Sequence, residues 1–359
     1  MTTYTPSFTL DTLTDNLANY AEIDSVSIYG GRYDVMSQPT PRVLTAQLTV
    51  TDSTGFTVPT IGDPIKLYES VLAVTVFYGL ITDITFSYRN FNNGTGTPTY
   101  SITAIAHIAT IDWNTCTPTV SYDLDYAGAQ ILQMMSDWQL TNRGTINYDS
   151  TTMPQTGGAV LDPVAPSETD NLGDVIRYTA NSAGGVFYER SNGDIYYDRR
   201  VDRQNRTTIT LTSDYINSDL TFTKSITAIG NDITIIRTGT DQTASDSTSI
   251  GKFGKRSGSR DTRLHDASAA LTLAQTFISG FKSPVWRPDA VRISLHNPAL
   301  TNTIRTSLAT VFCGTKITMP IPSPIGSGTA TYFVENFTLQ LGRGTFDVTL
   351  GLAPQNDSI

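Results

Sequence analysis

The 359-residue chain has little of what metal proteins and most hydrolases require. Its three histidines, His107, His265 and His296, show no HExxH or paired-ligand spacing, so no zinc site is signalled and each reads as a surface or satisfied core histidine. Its two cysteines, Cys116 and Cys313, lie far apart. That spacing argues against a disulfide framework or a thiolate metal cluster and points to a reduced, cytosolic folding compartment. Charged residues make up only 16%, with a formal net charge of −9. Surfaces built to neutralise phosphates are usually basic, so stable binding of free nucleic acid is not expected. No basic start followed by an apolar run opens the chain, and nowhere do about eighteen apolar residues follow one another, so neither a signal peptide nor a membrane-spanning segment is expected.

Catalytic arrangements are also missing. Asp123-x-Asp125 lacks the third acidic position and the glycine of a calcium loop. Gly326-Ser327-Gly328 has one residue between its glycines and is no nucleophile elbow. Gly94-Thr95-Gly96-Thr97 has neither the later glycine nor the lysine of a phosphate loop. Glu168, Asp170 and Asp174 could supply a carboxylate pair for glycoside hydrolysis, but their place at a helix start accounts for them through the helix dipole. No residue is therefore assigned a catalytic, cofactor-binding or metal-binding role, and no cofactor is expected.

What the chain does have is threonine, serine and asparagine among alternating apolar residues, the composition of solvated strands and turns. One stretch occurs twice. Gly62-Asp63-Pro64-Ile65-Lys66-Leu67, Val76 to Thr82 and Tyr100 to Ala104 match, in order, Gly314 to Met319, Tyr332 to Thr338 and Phe346 to Leu350. Each strand alternates as a sheet with one buried face requires, and Gly342-Arg343-Gly344 marks a hairpin. Residues up to about Asn19 read as an extended arm or edge segment. Strands at Asp24–Tyr29 and Val43–Val50 lead into the first copy, whose meander ends near Ile111, and Asn90 to Thr99 reads as an exposed, mobile hairpin tip.

Between the copies the period changes. Asp125 can cap a helix with Ala127, Ile131, Met134, Met135 and Trp138 on one face, and Thr141 to Ser167 reads as a long loop. Thr169 or Asp170 can cap a second helix carrying Leu172, Val175, Ile176, Thr179 and Ala183, stopped by Gly184-Gly185. A hairpin follows, Val186–Arg190 and Asp194–Arg200 around Ser191-Asn192-Gly193. From Ser225 alternation resumes. A basic run of Lys252, Lys255, Arg256, Arg260 and Arg263 reads as a solvated loop, and a helix is expected at about 266–281.

The fold class expected is mainly β with an α+β insertion: two related β-barrel-like domains, 1–120 and 225–359, separated by a helix and hairpin insertion, 121–224.

The order of elements resembles the baseplate-hub or minor tail proteins of tailed bacteriophages. The likeness is carried by Ser27–Arg32, Gly62–Ile65 with Phe77–Ile81, Gly184–Phe187 through Gly193–Tyr196, Ser249–Gly254, and Tyr332–Glu335 through Thr349–Pro354. It implies a structural, non-enzymatic virion protein, folded in the host cytoplasm and assembled as a homotrimer at the tail tip. The partners implied are a distal tail or tail tube ring, a tape measure protein, and a tail fibre or spike. The N-terminal fifty residues match loosely, and a chain stopping at Ile359 is expected to leave no room for a fused peptidoglycan hydrolase.

Three chains with two repeats each would make a ring of six similar units matching a sixfold tube. Gly62–Thr103 and Gly314–Leu350 would then line one pore, with Asp125–Arg200 outside it. The acidic balance suits a lumen through which DNA slides during ejection. The competing reading is a tail-associated receptor or carbohydrate binder using an aromatic cluster at Tyr188, Tyr196 and Tyr197. A third, weaker reading is an envelope-degrading enzyme built on Glu168 or Asp170.

Overall fold

The computed structural model describes residues 4–12, 16–33, 37–52, 56–92, 95–116, 121–142, 147–167, 169–216 and 219–354. The N-terminal third supplies β1 (Phe8–Thr12), β2 (Ala21–Gly31), β3 (Thr40–Val50), β4 (Pro64–Glu69), β5 (Val74–Asn92) and β6 (Thr95–Ala106). The middle supplies α1 (Ala109–Asp112), β7 (Asp125–Tyr126), α2 (Ala127–Asn142), β8 (Val160–Leu161), α3 (Leu172–Ser182), β9 (Val186–Glu189), β10 (Ile195–Asp198), α4 (Arg200–Gln204), β11 (Thr208–Thr210) and β12 (Phe222–Thr223). After it come β13 (Asp232–Ile236), β14 (Gln242–Ser245), α5 (Ser247–Phe253), β15 (Ser257–Asp261), α6 (Ala267–Phe281), β16 (Arg287–Pro288) and β17 (Val291–Ser294). Last are α7 (Asn302–Ala309), β18 (Lys316–Pro320), β19 (Thr329–Gly342) and β20 (Thr345–Pro354).

Both ends of the chain enter one eleven-stranded sheet, ordered β1-β4-β5-β6-β3-β2-β19-β18-β11, with β20 on β19 and β17 on β20. The two β regions are therefore joined edge to edge, because Ser25–Gly31 of β2 pairs with Asn336–Gly342 of β19. Alternation fixes the face: Leu44, Ala46, Leu48 and Val50 of β3 are buried, as are Ile317 and Met319 of β18, while the residues between them are less so. These side chains form one core with Leu10, Phe77, Ile102, Phe337 and Phe346. Burying each large apolar side chain contributes about 1.5–3 kcal/mol, and this shared core holds the two regions together.

A second core lies beside the sheet. Ile131, Met134 and Met135 of α2 and Ile176 of α3 pack with Phe187, Ile195 and Tyr197 of the β9–β10 hairpin. Ile233, Ile235, Ala270, Ala274 and Phe277 join them. This second core thus takes residues from both sides of 224/225. The apolar face of α6 needs a partner, and it finds one in β13 and β14, through which it joins the helices of the insertion in this second core.

Local chemistry also departs from the sequence reading at several points. The N-cap of α3 is Asn171, whose side-chain oxygen accepts the Asp174 N–H at 3.1 Å, rather than Thr169 or Asp170. Asp125 lies in β7, its carboxylate accepting the Tyr126 N–H at 2.7 Å, one residue too early to cap α2. The N-terminal arm contributes an edge strand, β1, but also the buried side chains of Tyr4, Leu10 and Leu17. The region 90–99 belongs largely to the β5–β6 hairpin, and its residues 93 and 94 lie outside the described residues.

Candidate functional site: a repeated strand frame and a buried junction

The repeat extends to individual hydrogen bonds. Gly62 and Gly314 both hold positive φ, 93° and 84°, a region glycine enters without a Cβ penalty. Each lies just ahead of its first strand and donates its N–H to the middle strand, Gly62 to the Ile81 carbonyl at 2.8 Å and Gly314 to the Val334 carbonyl at 2.6 Å. The return bonds also match: the Ile81 N–H reaches the Asp63 carbonyl, and the Val334 N–H the Thr315 carbonyl, both at 2.9 Å. A register shift follows at once in each, Ile81/Asp83 against β6 and Val334/Asn336 against β20. Beyond it Asp83 faces Thr103, and Asn336 faces Gly351. The meanders β4-β5-β6 and β18-β19-β20 are thus the same unit built twice.

Where sheet and helical part meet, a group of ionisable residues is buried. Arg32, just after β2, pairs with Glu335 at the bulge of β19, both sealed from solvent. Glu189, ending β9, takes the His107 N–H at 3.2 Å and the Ile108 N–H at 2.5 Å. Burial pushes its carboxyl up to about 8, against those two N–H groups and the charge of Arg42. Arg42 gives one N–H to the Val76 carbonyl at 2.9 Å and lies 5.2 Å from the Phe337 ring centre, its basicity lowered to about 10 by burial. Arg203 donates to the Gly184 carbonyl at 3.2 Å, and burial raises the neighbouring Cys313 thiol to about 11. Arg206 pairs with Asp198 and lies over the rings of Tyr188 and Phe312, which stack at 5.2 Å.

Gln38 completes the joint by acting like a short strand. Its carbonyl oxygen accepts the Phe187 N–H at 2.8 Å, and its amide donates to the Gly185 carbonyl at 2.9 Å and to Asn181 at 2.7 Å. Each charged side chain of this group has at least one partner among ion pairs, ring faces and backbone, while Arg42 Nε and Nη1, Arg203 Nε and Glu335 Oε1 are buried without a hydrogen bond among the described residues. The arrangement fixes one body against another; it does not present a nucleophile or a paired acid and base to a substrate.

The candidate residues named from the sequence scatter. His107 is buried against the Tyr78 ring, and burial lowers its basicity. His265 meets the Asp162 carboxylate at 2.7 Å, and His296 lies beside the Tyr4 ring. Both cysteines are free and buried. Among the described residues no group of three or more His, Cys, Asp or Glu side chains is arranged to hold a metal ion. Glu168 lies outside the described residues. Asp170 caps a turn by accepting the Ser167 N–H at 2.7 Å, and Asp174 is exposed beside Arg177. Of the three tyrosines, Tyr188 and Tyr197 are only 2% and 1% exposed, and the half-buried Tyr196 is covered by the Arg190 guanidinium at 3.8 Å.

The basic run is not one solvated loop, because α5 and β15 distribute its members. Lys255 pairs with Asp232 at 3.1 Å, and Arg260 lies over Phe277 and bonds Asn181. Arg263 is buried, donating to Gln130 and Thr179. Arg256 lines a cleft of about 530 Å³ floored by Phe277, Phe281 and Leu352. Sequence reasoning gave no role to Gln38, Arg42, Glu189, Arg203 or Glu335. Glu189 carries the one available signal: an acid closing the apolar strand Val186-Phe187-Tyr188 has no solvated side to turn to.

Along almost its entire length the chain has the fold of phage tail proteins. It is similar to the 43 kDa tail protein of prophage MuSo2 from Shewanella oneidensis, with a TM-score of 0.68 at 12% identity, covering 98% of this chain and 99% of that one. It is also similar to a tail protein from Neisseria meningitidis, with a TM-score of 0.65 at 10% identity over 99% of both chains. A prophage tail protein from Listeria monocytogenes follows, with a TM-score of 0.58 at 10% identity over 96% of this chain and 94% of that one. No family profile matches the sequence, and no curated protein matches it.

Proposed function

We propose that this chain is a structural component of a phage or phage-derived tail: a tip hub whose three copies form a ring of six similar strand units, matching a sixfold tail tube to the distal tip. The observation that carries this reading is the doubled hydrogen-bond frame at Gly62/Ile81 and Gly314/Val334, set in a fold shared end to end with tail proteins. Identical chains stop growing by closing a rotation, and an internal repeat lets a threefold ring present six equivalent contacts.

In this reading the two repeats line a channel for DNA ejection, and the helical part, joined through Gln38 and through the Glu189 bonds to His107 and Ile108, stands outside it. Three folding units at 1–120, 121–224 and 225–359 remain part of the proposal, with 225–281 docked onto the middle unit. The partners are a tail tube or distal tail ring, a tape measure protein, and a fibre or spike, and the protein belongs to the virion. A non-catalytic role is supported by a junction whose charged side chains are buried and held by ion pairs, ring faces or backbone. The receptor-binding reading retains only Tyr196 of its aromatic cluster.

Light scattering on the purified chain tests the proposal. A mass of three chains is expected, with a closed ring in negative-stain images; a clean monomer at high concentration would overturn it.

A further inference from the structure

The repeat exposes one place where its two copies are treated differently. On β19, the edge used by β18 up to Phe333 is taken over beyond the bulge by β2, so Asn336–Gln340 pairs with Gly31–Ser27. The equivalent residues of β5, through the matched bonds of Ile81 and Val334, are Asp83–Ser87. There β4 ends its pairing at Leu80, and among the described residues no strand continues along that edge. The run Asp83-Ile84-Thr85-Phe86-Ser87 has no proline or lysine to blunt it, and Phe86 is 44% exposed. Natural sheets seldom leave such an edge uncovered.

A second edge lies open at the other end of the sheet. By the same register, Val291 of β17 facing Leu350 corresponds to Ala46 of β3 facing Ile102. The far side of β3 carries β2, whereas among the described residues the far side of β17 carries no strand. One chain therefore has an acceptor edge, Asp83–Ser87, and a donor edge, Val291–Ser294, at places where its own repeat shows a strand to belong.

We propose that the occupant of the Asp83–Ser87 edge is β17 of a second copy of this chain, which adds its backbone to the neighbour's sheet. The two edges differ, so the contact is head-to-tail, and a head-to-tail contact closes into a ring when its rotation divides the circle. The inference rests on the ring proposed above and names the surface that closes it.

Cysteine cross-linking tests it, since Thr85 and Arg292 are exposed and both native cysteines are buried, with the Arg292→Cys single variant as the control for the lost pair to Asp347 at 2.6 Å. The Thr85→Cys/Arg292→Cys chain, or its neighbour with Ser87→Cys in place of Thr85→Cys, is expected to give covalent species of two and three chains and none larger. The single variants should give none. In parallel, Thr85→Pro and Ile84→Pro remove N–H groups aimed to opposite sides of β5. One of them should keep its melting curve yet associate at least about tenfold more weakly.

A trimer that neither cross-links at these positions nor weakens with either proline overturns this inference and leaves the ring reading standing. A twofold dimer cross-linked through Thr85→Cys alone overturns the head-to-tail geometry. A monomer at every concentration overturns both.

Discussion

Removing the Glu335 carboxylate isolates the contribution of the buried junction. Glu335 and Arg32 are 6% and 2% exposed, so Glu335→Met removes the opposite charge from a buried guanidinium that keeps its bond to the Ser37 carbonyl at 3.2 Å and lies close enough to Arg203 for the two like charges to repel. Breaking a buried pair by deleting one partner costs about 3–5 kcal/mol, because the remaining charge keeps its desolvation penalty and loses its compensation. For a chain of this length that lowers Tm by roughly 4–7 °C. Arg32→Met should cost a similar amount, leaving the carboxylate unpaired. The double variant Arg32→Met/Glu335→Met removes both desolvation penalties and fills the site with apolar volume, so it should recover most of the loss. Calorimetry on the four proteins reads the cycle. If the double variant melts at or below the lower of the two singles, the pair is not what holds β2 to the β19 bulge, and the reasoning fails.

Three further outcomes follow from the same geometry. Glu189 has its carboxyl raised from an ordinary value of 4.5 to about 8, so the folded chain holds that proton more tightly than the unfolded one. Its contribution to stability is complete below about pH 4.5 and is lost as pH rises through about 8, at most about 5 kcal/mol, so urea unfolding of wild type relative to Glu189→Gln should worsen across that window; a flat difference would refute the assignment. Gln38→Ala loses three hydrogen bonds and should destabilise the joint by about 1–3 kcal/mol, seen as faster hydrogen exchange at the Phe187 amide with little change at Leu44. Gly62→Ala and Gly314→Ala each force a side chain into positive φ at about 1–2 kcal/mol, and Gly314→Ala should cost more, since its Cβ would lie 2.7 Å from the Arg206 guanidinium while that of Gly62 meets nothing; equal melting temperatures would refute the difference.

The strand frame was legible in the sequence because its signals are local. Gly62 and Gly314 mark the turns, the alternation of Ile317 and Met319 marks the buried face, and Gly193 and Gly344 close hairpins whose partners are adjacent in the chain. The face of α2 was legible for the same reason, Ile131, Met134 and Met135 recurring at helical spacing. What stayed hidden depends on contacts far apart in sequence. Arg263 looked like one of a basic run because nothing near it in the chain discloses Gln130 and Thr179, and Glu335 received no role because its partner Arg32 lies 303 residues earlier. Asn171 was missed as the α3 cap because three capping residue types stand together at 169–171, and propensity does not rank neighbours.

The pairing of β2 with β19 has a consequence for assembly. Strands near residues 25 and 340 must meet before the sheet is continuous, and such distant pairings form late because loop closure is costly before contacts compensate it. Until then the edge of β19 at Asn336–Gln340 is as open as the edge of β5 at Asp83–Ser87, and the two are alike in bonding and register. On the proposal above, a chain that has not closed on itself offers both of these matched edges as acceptors, and once β2 is in place the Asp83–Ser87 edge alone of the two is left without a strand among the described residues. If rings form by the proposed head-to-tail contact, closure of β2 onto β19 leaves one such acceptor per chain, as a closed ring requires.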